Sequence, residues 1–597
     1  MPLYQAPIRD YQFVLHEVLN TGQYANLPSF ADASDDLMNA ILEEAAKLAQ
    51  EVLLPLNQVG DEQGCKLENG IVRTPDGFAE AYKQMVDGGW PSLTGDTAYD
   101  GQGLPNVLAT AVNEMISSSN MAFAMYPGLS HGVYSALHHH GSDELKKTYL
   151  PNLVSGEWTG TMNLTEPHCG TDLGLLRSKA VPQADGTFKI SGQKIFISAG
   201  DHEMASNIIH LVLARVEGGP EGVGGISLFV VPKYLIQEDG SLSGERNGVS
   251  VGSLEKKMGI HGNATCVLNY DDAVGFIVGE ENKGLRAMFT MMNEARLGVG
   301  MQGIAQSEIA YQNARDYALE RVQGRSLTGP KNPEKPADPL IVHPDVRRIL
   351  MTIRSFNEGA RALMLWTALQ GDLSHLSDDE SVRELGDDMM ALLTPVIKGH
   401  FTDIGFANCV DAQQVYGGHG YIDEQGMGQF VRDARIAQIY EGANGVQALD
   451  LVGRKLAMKG GRPVLTFSKM VDDAIAEAEA DEALSFAIAP MKAAKKDFDE
   501  ATGWFMENAL KNFDHAGAGS TDFMHLLGRL AVGFMWLKLC KVAQSQLAAG
   551  STDAEFYQTK LTLAQFYMER LLPETAVNLT RIKTGADTMM SLPAEAF

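Results

Sequence analysis

Apolar residues recur every three or four positions in the first part of the chain, from about residue 34 to residue 157. Positions at this spacing share one face of a helix. The first such set is Leu37, Ile41, Leu42, Ala45 and Leu48. Glycine and proline near residues 88–91 and 101–103 interrupt the pattern and indicate loops between helices. We therefore predict an extension over residues 1–35, followed by an all-helical domain over residues 36–158.

The pattern changes near Thr159, where short runs of β-branched and aromatic residues alternate with glycine-bearing turns. The runs are 188–190, 194–198, 208–213, 226–231 and 266–270. Runs of this length between turn signals are typical of strands. The sequence thus predicts a β domain over residues 159–280.

Helical spacing returns after Gly284, and a loop with four prolines, residues 324–339, interrupts it. Gly460, Gly461 and Pro463 then indicate a domain boundary. We predict a helical bundle over residues 281–458. An additional helical domain over residues 464–597 should follow, divided by the small polar stretch 517–521. The predicted fold class is α+β multidomain.

The length and charge of the chain limit its domain organisation and its possible partners. A chain of 597 residues with 45% hydrophobic residues is too long for one core and carries enough apolar material for several. Its formal charge of −27 disfavours nucleic acid and anionic membranes as partners. Five scattered cysteines predict a protein of a reducing compartment, which we expect to be the cytoplasm. Because the sequence has no long apolar run, we predict no membrane span.

Three motifs carry candidate chemistry. Residues 164–172 place two threonine hydroxyls beside glycine-enabled amides, which suits a flavin edge and a pyrophosphate, although a capped turn explains the stretch equally well. Residues 191–200 alternate like a strand, with Phe196 and Ser198 on one face, and an edge hairpin is the alternative. Residues 414–421 and 438–445 contain glycine strings that helix caps also explain.

Taken together and in this order, the motifs over about residues 34–458 resemble those of the acyl-CoA dehydrogenase family. The resemblance implies that family's fold: an N-terminal helical domain, a middle β domain and a C-terminal helical bundle, here with an additional C-terminal helical domain. With this extra domain, the chain resembles the larger bacterial members of the family, which include fatty-acyl-CoA and 3-methylmercaptopropionyl-CoA dehydrogenases. The implied cofactor is FAD and the implied partners are an acyl-CoA substrate, electron-transfer flavoprotein and a second copy in a homodimer.

The resemblance also assigns roles. It makes Glu441 the catalytic base that takes the α-proton, although Glu294 lies beside Ala295, the position where some relatives carry their base. The implied FAD contacts are Met162, Leu164, Thr165, Gly170, Thr171, Phe196, Ser198, Arg321, Gln323, Gln414, Gly417, Gly418, Ala443 and Asn444. The implied substrate contacts are Thr171, Asn293, Arg296, Tyr440 and Gly442. The family commonly has tryptophan at the position of Phe196, threonine at that of Ser198 and threonine at that of Ala443.

The expected reaction is α,β-dehydrogenation of an acyl-CoA to the trans-2-enoyl-CoA in fatty-acid β-oxidation. Alternatives are a 3-methylmercaptopropionyl-CoA dehydrogenase, an acyl-CoA oxidase, and a DNA-binding alkylation-response flavoprotein of the same fold. The last should carry a basic C-terminal surface, yet acidic and basic residues are interspersed over residues 464–597, with no basic run longer than Lys495-Lys496. The adjacent His138, His139 and His140 point to different faces of a helix, and no metal site is predicted.

Overall fold

The computed structural model describes residues 2–237 and 239–597, so the predictions for Met1 and Glu238 lie outside the described residues. The α-helices in chain order are α1 (Ile8–Gln12), α2 (Pro28–Ala31), α3 (Asp35–Lys47), α4 (Pro55–Gln63), α5 (Phe78–Asp87), α6 (Asn106–Ser119), α7 (Met121–His140), α8 (Asp143–Ser155), α9 (Gly284–Glu320), α10 (Pro344–Leu376), α11 (Glu380–Val415), α12 (Met427–Ala437), α13 (Asn444–Asp450), α14 (Arg462–Glu479), α15 (Ser485–Asn508), α16 (Phe513–Ala548), α17 (Ala554–Arg570), α18 (Thr575–Thr584) and α19 (Asp587–Met590). π-helical segments follow α1, α3 and α13 at Phe13–Val18, Leu48–Leu53 and Leu451–Lys455.

The strands are β1 (Lys66–Glu68), β2 (Ile71–Arg73), β3 (Trp158–Asn163), β4 (Lys179–Pro182), β5 (Phe188–Ser198), β6 (Asn207–Val216), β7 (Ile226–Pro232), β8 (Tyr234–Ile236), β9 (Leu242–Arg246), β10 (Val249–Leu254) and β11 (Thr265–Val278). Seven of them form one sheet in the order β10-β11-β5-β4-β6-β3, and β7 pairs with both β11 and β6. The pairs β3–β6 and β4–β6 are parallel, and the remaining pairs of this sheet are antiparallel.

The chain divides into two compact units, residues 1–46, 105–118 and 299–597, and residues 47–104 and 119–298. The second unit contains the sheet. Its strand β6 is buried on both faces, because Ile209 and Leu211 pack with residues of α7 and α8 while Val212 and Ala214 pack with β5 and β7. A strand covered on both sides is apolar throughout, which explains the continuous hydrophobic run at 208–213.

The first unit is built mainly from the long helices α10, α11 and α16. Arg361 on α10 is 1% exposed and forms ion pairs with Asp10, Glu114 and Glu308. Asp10 also pairs with Lys560, so the N-terminal extension is anchored to α10 and α17. Because separating a buried charge from its partner is strongly destabilising, these contacts fix the extension in place.

Three details of the secondary-structure prediction were wrong. The domain predicted as all-helical contains the hairpin β1–β2, whose turn residues Asn69 and Gly70 have φ of 52° and 76°. Asparagine-glycine is a strong hairpin signal, and the sequence interpretation overlooked it. Leu37 is 40% exposed, and Met38 instead begins the buried face of α3.

The third error is the break predicted at residues 517–521, which lie inside the continuous helix α16. Gly519 packs tightly against α15, since a Cβ there would lie 3.0 Å from Phe505 Cζ. Tertiary contact overrides the low helix propensity of such residues. The preceding helix α15 ends at Asn508, and Asn512 caps α16 by accepting a hydrogen bond from the backbone N–H of Asp514 at 3.0 Å.

Candidate functional site

In the sheet-containing unit, Glu166 organises the loop that follows β3. Its carboxylate accepts hydrogen bonds from the backbone N–H of Arg177 at 2.7 Å, from Ser178 Oγ at 2.6 Å and from Lys194 Nζ at 2.8 Å. Lys194 also donates to the backbone oxygen of Leu164 at 3.1 Å. Both side chains of the ion pair are buried, with exposures of 3% and 0%. Glu166 therefore ties the start of this loop, residues 164–178, to β5 and to the residues just before β4; we call it the motif loop.

The two members of this pair respond to burial in different ways. Burial acts to raise the pKa of Glu166, but Lys194 and the hydrogen bonds from Ser178 and Arg177 outweigh it, so the pKa lies below its usual range. Burial lowers the pKa of Lys194 to about 8 despite the adjacent carboxylate. At neutral pH the loop is thus held by a charged pair.

Thr165 and Gly170, both predicted FAD contacts, lie together. The backbone oxygen of Thr165 accepts from the N–H of Ile195 at 2.9 Å, and a Cβ on Gly170 would lie 3.3 Å from Thr165 Cγ2. Gly170 and Thr171 are exposed. Glycine thus brings bare backbone against the Thr165 side chain, next to the exposed Thr171, which fits the recognition of a diphosphate.

Phe196 occupies an irregular position in β5. The register between β5 and β11 shifts between Lys194 and Ile197, and Phe196 adopts a φ of 60° with 59% of its surface exposed. A large side chain at positive φ is strained, and such strain is concentrated at functional sites. Ser198, also a predicted contact, is partly exposed on the same strand. An exposed aromatic face held at a bulge fits stacking against the flat ring of a flavin.

Four further residues of the predicted site lie in the same unit. Met162 on β3 and Leu164 are partly buried against its core. Asn293 on α9 is exposed, and the Arg296 guanidinium lies 5.8 Å from the centre of the Phe289 ring. The competing base Glu294 accepts a 2.6 Å hydrogen bond from Ser135 Oγ of α7.

Glu441 lies in the other unit, in the short loop between α12 and α13. Its φ is 56°, and the following Gly442 has a φ of 80°. A left-handed conformation costs a residue with a side chain about 1–2 kcal/mol and persists only where surrounding contacts impose it. We call residues 438–444 the glutamate loop.

Buried side chains supply those contacts. Lys398 Nζ donates to the backbone oxygen of Gly442 and to Asn444 Oδ1, both at 2.8 Å. Gln447 Nε2 donates to the backbone oxygens of Glu441 and Gly442, both at 3.1 Å. Lys398 and Gln447 are 0% and 1% exposed. The carbonyl of the proposed base and that of its neighbour are thus both fixed by buried donors.

Tyr440 and Ala443 flank this arrangement. The Tyr440 hydroxyl donates to Gln302 Oε1 on α9, and burial, with the Glu441 carboxylate, raises the pKa of Tyr440 well above its usual value. Ala443 is exposed and has no side-chain oxygen to offer a ligand. Any contact at this position would therefore use its backbone.

The remaining predicted FAD contacts form an exposed group in the same unit as Glu441. Arg321 and Gln323 follow α9, and Gln414, Gly417 and Gly418 end α11. The ends of these helices are joined by Tyr317 and Tyr416, whose rings stack at 4.1 Å, and by a 2.8 Å hydrogen bond between the Tyr317 hydroxyl and His419 Nδ1. All five predicted contacts are solvent-exposed.

Sequence reasoning missed the residues that hold these loops. Glu166 lies inside a recognised motif, but its pairing with Lys194 has no sequence signature. Lys398, Asp403 and Gln447 belong to ordinary helical stretches. Nothing in their spacing predicts that they meet the glutamate loop.

No metal is assigned to this region. Among residues 2–237 and 239–597, the side chains of Glu166, His168 and Cys169 bring possible ligand atoms within 4.8 Å of one another. The Glu166 carboxylate is already bound by Lys194 and Ser178. Within the same described residues, no helix combines the length and hydropathy needed to cross a bilayer.

Comparison with known protein families shows which family the chain matches. Four family models match in succession: the acyl-CoA dehydrogenase N-terminal domain over residues 36–157, the middle domain over 161–273, the C-terminal domain over 282–456, and an acetyl-CoA dehydrogenase C-terminal-like model over 467–593. The chain belongs to the acyl-CoA dehydrogenase family of flavin-dependent oxidoreductases, and the predicted fold class is confirmed.

Two relatives and one solved structure are similar to nearly the whole chain. A 3-methylmercaptopropionyl-CoA dehydrogenase of Ruegeria pomeroyi is 42% identical over 98% of this chain and 99% of its own length. A butyryl-CoA dehydrogenase of Syntrophomonas wolfei is 34% identical over 100% of this chain and 99% of its own. An acyl-CoA dehydrogenase from Bacillus anthracis, solved in complex with FAD, superposes with a TM-score of 0.74 at 22% identity, covering 94% of this chain and 91% of that one. The assignment of individual residues to FAD and substrate stays a prediction.

Proposed function

We propose that this chain is an FAD-dependent acyl-CoA dehydrogenase that converts an acyl-CoA to its trans-2-enoyl-CoA, with Glu441 as the base. The observation that carries the proposal is the conformation of Glu441, held at a φ of 56° by buried donors to its own carbonyl and to the next one. A glutamate that only capped a helix would not need this strain. The family membership supports the same role.

The chemistry requires a positioned base, because a carbon acid beside a thioester is too weak to ionise unaided. The Glu441 carboxylate takes the proton from the α-carbon, and the buried donors fix the backbone that carries it. When bound, the flavin supplies the acceptor for the hydride that leaves the β-carbon. Loss of one proton and one hydride removes two electrons and leaves a carbon–carbon double bond.

Two substrate classes merit separate tests. A fatty acyl-CoA in β-oxidation is the general candidate. A 3-methylmercaptopropionyl-CoA is the second, and the Ruegeria pomeroyi relative of that name, 42% identical over 98% of this chain, favours it. Bleaching of the oxidised-flavin absorption band across butyryl-, octanoyl-, palmitoyl- and 3-methylmercaptopropionyl-CoA would rank them.

We further propose electron-transfer flavoprotein as the electron acceptor and a homodimer as the active assembly. The exposed group formed by the ends of α9 and α11 supports the second proposal, since its predicted FAD contacts face solvent in one copy. Reoxidation of the reduced protein by electron-transfer flavoprotein should exceed reoxidation by air. Faster reoxidation by air would favour an oxidase instead.

The direct test is the Glu441→Gln variant. We expect FAD content to be unchanged and the rate of flavin reduction at saturating acyl-CoA to fall by about 10²- to 10⁴-fold, the usual value of general-base catalysis. The matched control is Glu294→Gln, which alters the competing carboxylate on α9 and should change the rate less than about threefold. Normal activity in Glu441→Gln, or loss only in Glu294→Gln, would remove Glu441 from the mechanism.

A further inference from the structure

The additional C-terminal helices reach the support of the glutamate loop through His525 on α16. Nε2 of this ring lies 3.2 Å from Asp403 Oδ2 on α11, and its Nδ1 lies 2.8 Å from Nδ1 of His400. The two helices approach closely here, since a Cβ on Gly528 would collide with the His400 ring. His525 is therefore held in one orientation, between a carboxylate and a second imidazole.

Asp403 in turn binds both ends of the glutamate loop. Its Oδ1 accepts from Gln438 Nε2 at 2.6 Å and from Asn444 Nδ2 at 2.7 Å. Gln438 precedes Glu441 by three residues, and Asn444 follows it by three. One carboxylate oxygen thus holds the loop on either side of the proposed base, and the other oxygen faces His525.

The charges of this arrangement are consistent with a positioning role. Burial lowers the pKa of His400 well below its usual value, so that ring is neutral. Burial acts to raise the pKa of Asp403, but the hydrogen bonds from His525, Gln438 and Asn444 outweigh it and the pKa lies below its usual range. Because an ionised carboxylate can only accept, Nε2 of His525 is the donor to Asp403, and the two Nδ1 atoms share one proton between the rings.

We propose that Asp403 and His525 are positioning residues for Glu441, so that the additional C-terminal domain is part of the catalytic apparatus of this chain. The inference rests on the proposed function of Glu441. Loss of the His525 contact frees Asp403 Oδ2 to turn and loosens both ends of the glutamate loop. Small displacements of a catalytic group have large effects on rate, because about 1 Å of misplacement can cost about 10²-fold.

The test compares three variants of the full-length, FAD-loaded protein. His525→Phe keeps a ring and removes both nitrogens, whereas His525→Gln retains an amide that can donate to Asp403. The control is His515→Phe, the same substitution ten residues earlier on α16, where the ring nitrogen accepts the backbone N–H of Ala586 at 3.0 Å. The control perturbs the same domain without touching the Asp403 network.

Proton abstraction is measured apart from hydride transfer with 3,3-dimethylbutyryl-CoA, which has α-hydrogens but no β-hydrogen to lose. Mass spectrometry follows deuterium uptake from D₂O at its α-carbon. We expect His525→Phe to slow exchange, and kcat with an oxidisable acyl-CoA, by about 10- to 100-fold, while FAD content and KM change less than about threefold. His525→Gln should recover to within about threefold of wild type, and His515→Phe should match wild type.

The outcomes separate this inference from the proposed function. If wild type exchanges the α-hydrogens and Glu441→Gln does not, while His525→Phe behaves like His515→Phe, the positioning role is wrong and the function stands. If wild type neither exchanges nor reduces its flavin with any acyl-CoA, both fall. Should His525→Phe fail to fold, Asp403→Asn serves in its place, because it keeps the side-chain volume. We expect it to slow exchange by at least about fivefold, and unchanged exchange in it overturns the inference.

Discussion

The motif loop after β3 and the glutamate loop are both held by a buried lysine, yet the two lysines bind different partners. Lys194 meets the carboxylate of Glu166, whereas Lys398 donates to the neutral oxygens of Gly442 and Asn444. A buried ion pair is costly to break, because one uncompensated charge remains. Loss of a lysine hydrogen bond to a neutral oxygen leaves at most an unsatisfied acceptor, which costs less than a stranded charge. We therefore expect loss of Lys194 to disrupt the motif loop as a whole, whereas loss of Lys398 should only loosen the glutamate loop.

The largest effect is expected for Lys194→Met. The Glu166 carboxylate, 3% exposed, would lose its counter-charge, at a cost of about 3–5 kcal/mol. Hydrogen exchange over residues 164–178 and FAD binding should both report this loss. The double variant Lys194→Met with Glu166→Gln removes the stranded charge and should regain part of the stability. A single variant no worse than the double would contradict the view that the pair acts as a unit.

Lys398→Met should cost less, about 1–3 kcal/mol, since it removes the lysine donor from Asn444 Oδ1 while the Gly442 oxygen keeps its hydrogen bond from Gln447. Hydrogen exchange should increase over residues 438–447, while FAD content should stay close to that of wild type. Turnover should fall more than FAD binding, because the loop that carries Glu441 loosens. A loss of stability equal to that of Lys194→Met would show that the partner's charge does not matter, and the comparison would fail.

The pH dependence of the two loops should also differ. The pKa of Glu166 is lower in the folded protein than in the unfolded chain, where a glutamate has a pKa of about 4.3. The stability that the Glu166 carboxylate contributes is therefore fully present above about pH 4.3. It is lost as pH falls from there toward the lower pKa of the folded protein. The difference in thermal midpoint between wild type and Glu166→Gln should thus shrink from pH 7 to pH 3.5.

Gln447→Leu supplies the matched pH control. Gln447 donates to the backbone oxygens of Glu441 and Gly442, which do not titrate, so its difference from wild type should stay constant over the same range. If the effect of Glu166→Gln does not depend on pH, the charge of Glu166 does not stabilise the motif loop.

The smallest effect concerns two predicted site residues at positive φ, Phe196 on β5 and Glu441 in the glutamate loop. Phe196→Gly should give an apoprotein more stable than Phe196→Ala by about 1 kcal/mol, because only glycine accepts a φ of 60° without strain. Glu441→Gly and Glu441→Ala should differ in the same direction. Thermal midpoints of the four apoproteins provide the measurement, and an alanine variant as stable as its glycine counterpart would mean that the strain is absent.

Much of the fold was predictable because it depends on local periodicity. The run at 208–213 is apolar since β6 is covered on both faces, and the helical spacing after Gly284 corresponds to α9. The errors arose where packing overrides propensity, as in residues 517–521 of α16, or where a short signal was overlooked, as at Asn69 and Gly70. The five-part division of the chain stays a prediction.

The sequence by itself determined the order of the elements, the family and the identity of the candidate base, because each depends on residues close together in the chain. Only the tertiary structure brought Lys194 to Glu166, and Lys398 and Asp403 to the glutamate loop. It also brought His525 to Asp403, which lies 122 residues away along the chain (403 to 525). Such contacts arise when helices and strands pack. Helical residues that pack for stability and those that hold a catalytic loop have the same sequence pattern, so spacing along the chain does not encode these contacts.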